Sequence, residues 1–292
     1  MKQVILFVLL MMAFWQLSAT WHDIPENSEK ALFEHISFGK ELTEVHFSLP
    51  GFEMEPIIEN GEIYQKISYH KEGELLEIGK PDLPCFTRLI AIPNTGTATV
   101  EILSVDEEIL SNIAVHPQQE LQSESQVNRT AFTIDEAFYA HGDIFPAELS
   151  VVGEPAILRG LRVVNLTIYP FRYDPQTREL TVIKNIDVIV GTEGSGGVNT
   201  LRRDMKLSRA FEPLYKSTVL NYESTVSRED DYQDPSYLFI YPDVTNILNT
   251  LEYLSDWKHQ KGYNVTLANT TETGTSSTAI KNYIQDAYDT WT

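Results

Sequence analysis

Along the first two-thirds of the chain, hydrophobic and polar positions alternate in short runs; helical spacing appears only near the end. EIYQKISYH (62–70) alternates with a period of two, CFTRLIAIP (85–93) is a continuous apolar run closed by Pro93, and TATVEILSV (97–105) alternates again. Gly73, Gly79, Pro81, Asn94 and Gly96 punctuate the gaps. Short strands at this spacing, from about residue 30 to 200, predict an antiparallel sandwich or barrel. The segment 158–191 predicts a hairpin. Val164, Leu166 and Ile168 share one face, Val163, Asn165, Thr167 and Tyr169 the other, and Asp174-Pro175 suit the start of the turn. Val182, Ile186, Val188 and Val190 line the return strand, where Lys184 interrupts the apolar face and so predicts a half-buried or near-edge position.

The pattern changes after residue 191. GTEGSGGVNT (191–200) has the composition of a flexible linker, LRRDMKLSRAFEPLYKSTVLNY (201–222) predicts a short helix or two near 204–220, and YESTVSREDDYQDP (222–235) is charged and turn-rich. SYLFIYP (236–242) then reads as a strand apolar on both faces, as in parallel sheets. A helix follows, with Asp243 as its expected cap, Val244, Ile247, Leu248, Leu251, Leu254 and Trp257 at helical spacing, Lys258, His259 and Lys261 in the last turn, and Gly262 as its stop. YNVTLAN (263–269) is the second strand, and a second helix starts at Ser276 or Ser277 with Ile280, Ile284 and Ala287 inward. This βαβα order opens a right-handed parallel sheet, and two such strands cannot cover both faces, so the chain is expected to be the front of a longer protein.

Composition sharpens the class. With 22 basic against 42 acidic side chains the formal charge is −20, which argues against a nucleic-acid or anionic-membrane partner. Met1-Lys2, the apolar run VILFVLLMMAFW and the small residues of LSAT form a secretory signal, with cleavage expected near Ala19 or Thr20. That run is too short for a transmembrane anchor. Cys85 is the one cysteine, so the exported chain has no internal disulfide framework and depends on core burial. Cys85 lies in an apolar run without a neighbouring base, which makes it a small buried hydrophobe rather than a nucleophile.

The order of parts then matters. YLFIYPDVTNILNTLEYLSDWKHQKGYNVTLAN with STAIKNYIQDAYDTW resembles the start of the catalytic domain of gingipain-like cysteine peptidases. KPDLPCFTRLIAIP and GEPAILRGLRVVNLTIYPFRYDPQTRELTVIKNIDVIV look like that family's pro-domain, and the resemblance runs from about 60 to 290. It implies a β-sandwich pro-domain that assists folding and holds the enzyme latent by contact with its own catalytic domain. It also implies a caspase-like α/β catalytic domain with a His–Cys dyad, in which a thiolate attacks the scissile carbonyl of a protein or peptide and backbone amides stabilise the oxyanion. The expected organisation is therefore a signal peptide at 1–20, an all-β sandwich pro-domain at 21–200, a linker with a processing site at 201–235, and the truncated βαβα opening of the catalytic domain at 236–292.

The dyad itself is not expected in this chain, since no cysteine follows Cys85. His259, at a helix end, reads as a partner of the helix dipole, and His141-Gly142 echoes a His-Gly pair of the family but lies in the β-rich part and reads as a turn. The candidate processing bond is Arg228-Glu229, since Arg228 is the only basic residue of 222–235; Arg202, Arg203 and Arg209 are rivals. Sequons at Asn128, Asn165, Asn264 and Asn269 carry no inference. The seven histidines are scattered and form no metal-ligand cluster, and no cofactor is expected here; the resemblance leaves calcium to the complete catalytic domain. Two other readings compete: a secreted, non-enzymatic β-sandwich binding module, and a flavodoxin-like α/β domain, which would want a glycine phosphate loop that IYPDVTNILN lacks.

Overall fold

The computed structural model describes residues 18–38, 41–122, 131–201, 206–225 and 232–290. In chain order the strands of the β-rich part are β1 (Thr20–Asp23), β2 (Phe33–Phe38), β3 (Leu42–Ser48), β4 (Gly51–Glu59), β5 (Glu62–Ser68), β6 (Gly73–Glu74), β7 (Pro84–Ala91) and β8 (Thr97–Ser111). After helix α1 (Glu136–His141) come β9 (Ser150–Val152), β10 (Ala156–Leu158), β11 (Leu161–Ile168), β12 (Phe171–Asp174) and β13 (Glu179–Glu193). One sheet has the order β12-β13-β3-β2 with β8 along β13; a second has β10-β11-β7-β6 with β9 on β11; a third is β1-β4-β5. All these pairings are antiparallel. The first two sheets share one apolar core, in which Phe47 of β3 meets Phe86 of β7 edge-on at 5.1 Å and Val45, Val188, Val164 and Leu166 are fully enclosed. This is a β-sandwich.

The sequence pattern explains β13 only once its irregularity is seen. It is a central strand, with β8 along one edge and β12 and β3 on the other, and Leu180, Val182, Ile186, Val188 and Val190 are all buried. The expected edge or half-buried position is therefore incorrect. A bulge between Ile183 and Asn185 places Ile183 in the core and turns Lys184 out to Glu26 (2.9 Å) and Asp106 (3.2 Å). The carbonyl of the bulged Lys184 accepts from Leu49 N and from Asn27 Nδ2, so the extra residue leaves no orphan acceptor.

The expected hairpin over 158–191 is shorter than its pattern suggested. Pro170 follows β11, which pairs with β7, β9 and β10 in the second sheet, and only β12 turns back onto β13, through the Asp174 side chain accepting from Gln176 N. The faces were nonetheless read correctly: Val164, Leu166 and Ile168 are buried and Asn165 is exposed. The β4–β5 connection is a tight hairpin turn at Asn60-Gly61, where φ is +52° and +87°, a pair of values that favours this dipeptide. His141-Gly142 ends a helix rather than forming an isolated turn: Asp135 caps α1 by accepting from Phe138 N.

The segment 191–200 is pinned, against its linker-like composition. Arg162, 1% exposed, donates to four backbone carbonyls: Nε to Asn199 (3.0 Å), Nη1 to Pro93 (2.9 Å), and Nη2 to Gly96 and Val198 (both 2.8 Å). A buried guanidinium must find acceptors, and the glycine-rich segment supplies two of them.

By contact density the chain divides into two units, the first comprising the β-rich part to Leu201 together with Val219–Thr225. The second holds β14 (Leu207–Ser208), α2 (Glu212–Thr218), β15 (Tyr232–Gln233), β16 (Ser236–Tyr241), α4 (Thr245–Gln260), β17 (Asn264–Asn269), α5 (Thr270–Thr273) and α6 (Ser277–Thr290), whereas α3 (Tyr222–Thr225) belongs to the first. Strands β16 and β17 pair in parallel from Ser236↔Asn264 to Tyr241↔Asn269, which is the expected βαβα order. Four details differ from expectation. Strand β16 is half-buried rather than enclosed, and Leu248, Leu254, Trp257 and Ile284 are exposed. Asp243 does not cap α4; its carboxylate accepts from Thr271 Oγ1 instead. Asn269 caps the additional helix α5 through its side chain. The cap of α6 is at Ser276 as expected, its Oγ accepting from Ala279 N.

Replacing Arg162 with alanine is expected to destabilise the first unit by about 3–5 kcal/mol, because buried acceptors lose charged donors. Urea denaturation of the full chain, followed by tryptophan fluorescence and circular dichroism, measures this. Arg162→Lys should recover only part of the loss, since one ammonium cannot span four divergent carbonyls.

Candidate processing junction

The best-defined functional feature is the passage from the first unit to the second. Arg228 and Glu229, the candidate processing bond, lie outside the described residues, as do Arg202, Arg203 and the apolar run at 1–17. The flanks are described. On the N-terminal side Val219 and Tyr222 are buried, Leu220 N donates to Leu89 O (2.8 Å), and Asn221 is fully enclosed against β7. The Asn221 amide Oδ1 accepts from Ala91 N (2.8 Å), while Nδ2 donates to Ala91 O (2.9 Å) and to Thr43 Oγ1 (2.8 Å). The side chain thus reproduces the pair of bonds a neighbouring strand would give Ala91. On the C-terminal side β15 pairs in parallel with β14, and the Arg209 guanidinium lies 4.8 Å from the centre of the Tyr232 ring.

Among the described residues Cys85, His259 and His141 stand on three different elements. Cys85 sits on β7, half-buried; burial first, then the Glu72 and Glu74 carboxylates, push its thiol above the ordinary range, the opposite of what a nucleophile needs. His259 stands at the end of α4 with Nδ1 donating to Tyr263 O (3.1 Å), and its neighbour Lys258 stacks on Tyr237 (4.4 Å). His141 ends α1 and is exposed.

The sequence reading missed a serine–histidine–aspartate series on the sandwich. His46 and Asp187 are directly opposite on β3 and β13, as are Ser48 and Asn185; His46 Nδ1 bonds Asp187 Oδ1, and Ser48 Oγ lies 2.9 Å from His46 Nε2. Burial opposes ionisation of Asp187, yet bonds from Ser104 and His46 hold its carboxyl below the usual range. The series is a cross-strand network and not a hydrolase triad. Ser48 is fully enclosed and is also bonded to Asn185 Oδ1 (3.0 Å), so no substrate carbonyl can reach it. Only the strand register brings these residues together, and no local spacing announces it.

Asp82 was also missed. It is 4% exposed, its Oδ1 has no hydrogen-bond partner, and Lys66 Nζ lies 3.7 Å from its other oxygen. Burial, and then the Glu74 carboxylate, raise its pKa from 3.8 to about 6 against the pull of Lys66. Among the described residues no group of three or more His, Cys, Asp or Glu side chains is arranged to hold a metal, and no helix is long and apolar enough to cross a membrane.

Two family profiles match the chain. The Propeptide_C25 profile matches residues 20–229, well over half of the chain. The chain belongs to the Propeptide_C25 family. Residues 230–292 match Peptidase family C25, so the two matches meet between 229 and 230. Lys-gingipain of Porphyromonas gingivalis is 28% identical over 252 residues, covering 83% of this chain and 14% of that protein. Gingipain R2 of the same organism is 23% identical over 258 residues, covering 87% and 35% respectively. The chain therefore spans between about a seventh and about a third of the length of these relatives. Two solved structures share the fold of the β-rich part: the complex of P. gingivalis RgpB pro- and mature domains (TM-score 0.61, 24% identity, 67% of this chain, 99% of that one), and a structure addressing zymogenic latency of gingipain K from P. gingivalis (TM-score 0.52, 24% identity, 61% and 100%).

Asp82 makes stability depend on pH. A carboxyl whose folded pKa lies above its unfolded value stabilises the fold fully below the unfolded value of 3.8, and that contribution is lost as pH rises through about 6. Asp82→Asn is expected to leave stability at pH 4 nearly unchanged and to raise it at pH 7.5 by up to about 3 kcal/mol. Urea titrations of both proteins at the two pH values test this; equal differences at both would exclude an ionised, buried Asp82 at neutral pH.

Proposed function

We propose that this chain is the N-terminal part of an exported gingipain-like cysteine endopeptidase precursor. The β-sandwich acts as the pro-domain, assisting folding and holding the enzyme latent through contact with its own catalytic domain. The βαβα segment opens a caspase-like catalytic domain that cleaves protein or peptide substrates. The observation that carries this reading is the meeting of a propeptide match and a peptidase match at residue 229, past Thr225, where the first unit ends. The match of 230–292 to Peptidase family C25 disfavours the non-enzymatic binding module, whose α/β tail would be incidental.

In this reading the bond Arg228-Glu229 is the processing site and Glu229 becomes the terminus of the mature enzyme. The meeting point of the two matches, one residue further on, supports it, as does the isolation of Arg228 as the only basic residue of 222–235. The dyad belongs to the part of the peptidase domain beyond 292, since the single thiol of this chain is held protonated on β7. Any calcium that the resemblance implies is assigned to that same part of the domain. Export rests on the basic start, apolar run and small residues of 1–20.

Two measurements test the reading. N-terminal sequencing of the mature enzyme, expressed from the full-length gene, is expected to begin at Glu229; a terminus beyond Tyr237 would remove part of β16 from the enzyme and refute the boundary. Residues 20–292 alone are expected to show no turnover of a broad peptide library and no labelling by a mechanism-based thiol probe. Turnover that Cys85→Ala abolishes would sink the claim of an inactive segment.

A further inference from the structure

We propose that Asn221 is a positioning residue that locks Val219–Thr225 onto β7 and thereby restricts proteolytic processing to the chain beyond Thr225. The inference rests on the processing reading above and adds to it what decides which basic residue is cut.

The lock is built differently from its surroundings. The segment contributes no ladder strand, only an isolated bridge from Val219 to Leu89 and one backbone bond from Leu220 N to Leu89 O. A further polar attachment to β7 is the Asn221 amide, which bonds both backbone groups of Ala91 and reaches Thr43 Oγ1 on β3. Asn221 is 0% exposed, and Val219 and Tyr222 beside it are buried. Opening the segment leaves the Ala91 N–H and C=O without protein partners, so one side chain governs whether all seven residues stay down.

That position matters for cutting. Among the described residues of 201–225, Lys206, Arg209 and Lys216 precede the lock; Arg228, outside the described residues, follows it in the sequence. Lys216 is the informative one. Its side chain is 47% exposed and pairs with Glu212 (3.0 Å, one helical turn away), so its charge is within reach of a protease. Peptidases take their substrates extended, and cutting after Lys216 requires α2 to unwind through Thr218 and Val219 to be pulled from its buried site. The lock therefore protects an exposed basic residue through the backbone that follows it. For a bond beyond Thr225 the segment Val219–Thr225 lies wholly on the N-terminal side, so no residue of the lock follows the cut.

The test is limited trypsin digestion of residues 20–292, with the rate of each cut followed by mass spectrometry, in wild type, Asn221→Ala, Thr43→Ala and Val188→Ala. Cleavage after Lys216 is expected to be about tenfold or more faster in Asn221→Ala, the opening that the loss of buried hydrogen bonds predicts. Thr43→Ala, which removes one bond of three and keeps the Ala91 pair, should give a smaller increase and covers the case in which Asn221→Ala does not fold. Val188→Ala destabilises the core without touching the lock and should leave the relative rate at Lys216 unchanged. Equal rates at Lys216 in wild type, Asn221→Ala and Thr43→Ala would overturn the proposal. So would an acceleration in Val188→Ala matching that in Asn221→Ala, since the protection would then be global. A mature terminus other than Glu229 would refute the processing reading and leave these trypsin rates to stand or fall separately.

Discussion

Everything in the first unit hangs on β13. Fifteen residues long, it carries β8 along one edge and β12 and β3 along the other, so a single strand organises the ladder of one whole sheet. Its inward side chains, Leu180, Val182, Ile183, Ile186, Val188 and Val190, face the core that the second sheet closes. The chain has one cysteine and hence no internal disulfide, so the conformational entropy of this unit is opposed by burial alone. A long strand satisfied on both edges lets a single stretch of sequence bury six large side chains with no unpaired backbone row. The bulge at Lys184 belongs to the same economy. It lets one residue leave the core for two carboxylates while its carbonyl is taken up by Leu49 and Asn27.

Where the ladders stop, buried polar side chains take over the work of backbone partners. Arg162 supplies donors to four carbonyls of two loops, Asn27 supplies donors to Leu49 and Lys184, and Asn221 supplies a donor and an acceptor to Ala91. Each is enclosed, so each hydrogen bond is made in a medium where the unpaired alternative costs more than it would in water. The effect is to fix segments that composition alone would leave loose, including the glycine-rich 194–199 and the return at 219–222. Asp82 shows the converse. Its carboxyl is enclosed with one oxygen unpaired, and burial answers by raising its pKa instead of by pairing it.

Much of the architecture was legible because it depends on period. The alternation in 62–70 and 97–105 and the continuous apolar run in 85–93 became β5, β8 and β7, and the helical spacing of Leu251, Leu254 and Trp257 became α4 between two parallel strands. The Gly262 stop was legible because a φ of +85° suits that residue. The failures share one cause. Which sheet a strand joins is decided by partners far along the chain, so β11 and β13, adjacent in sequence, were read as a hairpin although Pro170 separates their sheets. Lys184 was read as a break in a face because a bulge leaves no mark in a period of two. The polar pins were invisible for the same reason: nothing near Arg162, Asn221 or Asp82 states that its surroundings will be closed by residues 30 to 180 positions away. The Ser48–His46–Asp187 network was missed because it exists only in the register of β3 on β13. The candidate at Arg228 came from charge and from the lack of apolar period, local properties that sequence does carry, and the geometry of its anchored flank came from the fold.

Dividing the labour between core and pins has a consequence for a unit that matches a propeptide family. A core built by burial opens cooperatively, so its resistance is spread over the whole unit and offers no preferred place to begin. Segments held by one or two buried side chains are different. They open locally, with a free energy set by those few hydrogen bonds, and they close the perimeter of the unit without adding to its nucleus. In this chain the pinned segments, 194–201 and 219–225, are the last parts of the first unit before the peptidase match begins. The stability of the sandwich and the accessibility of its C-terminal margin are therefore set by separate residues. A change in Asn221 alters where the chain can be reached while the Val- and Ile-lined face of β13 still holds the sheets together, and a change in that face does the reverse.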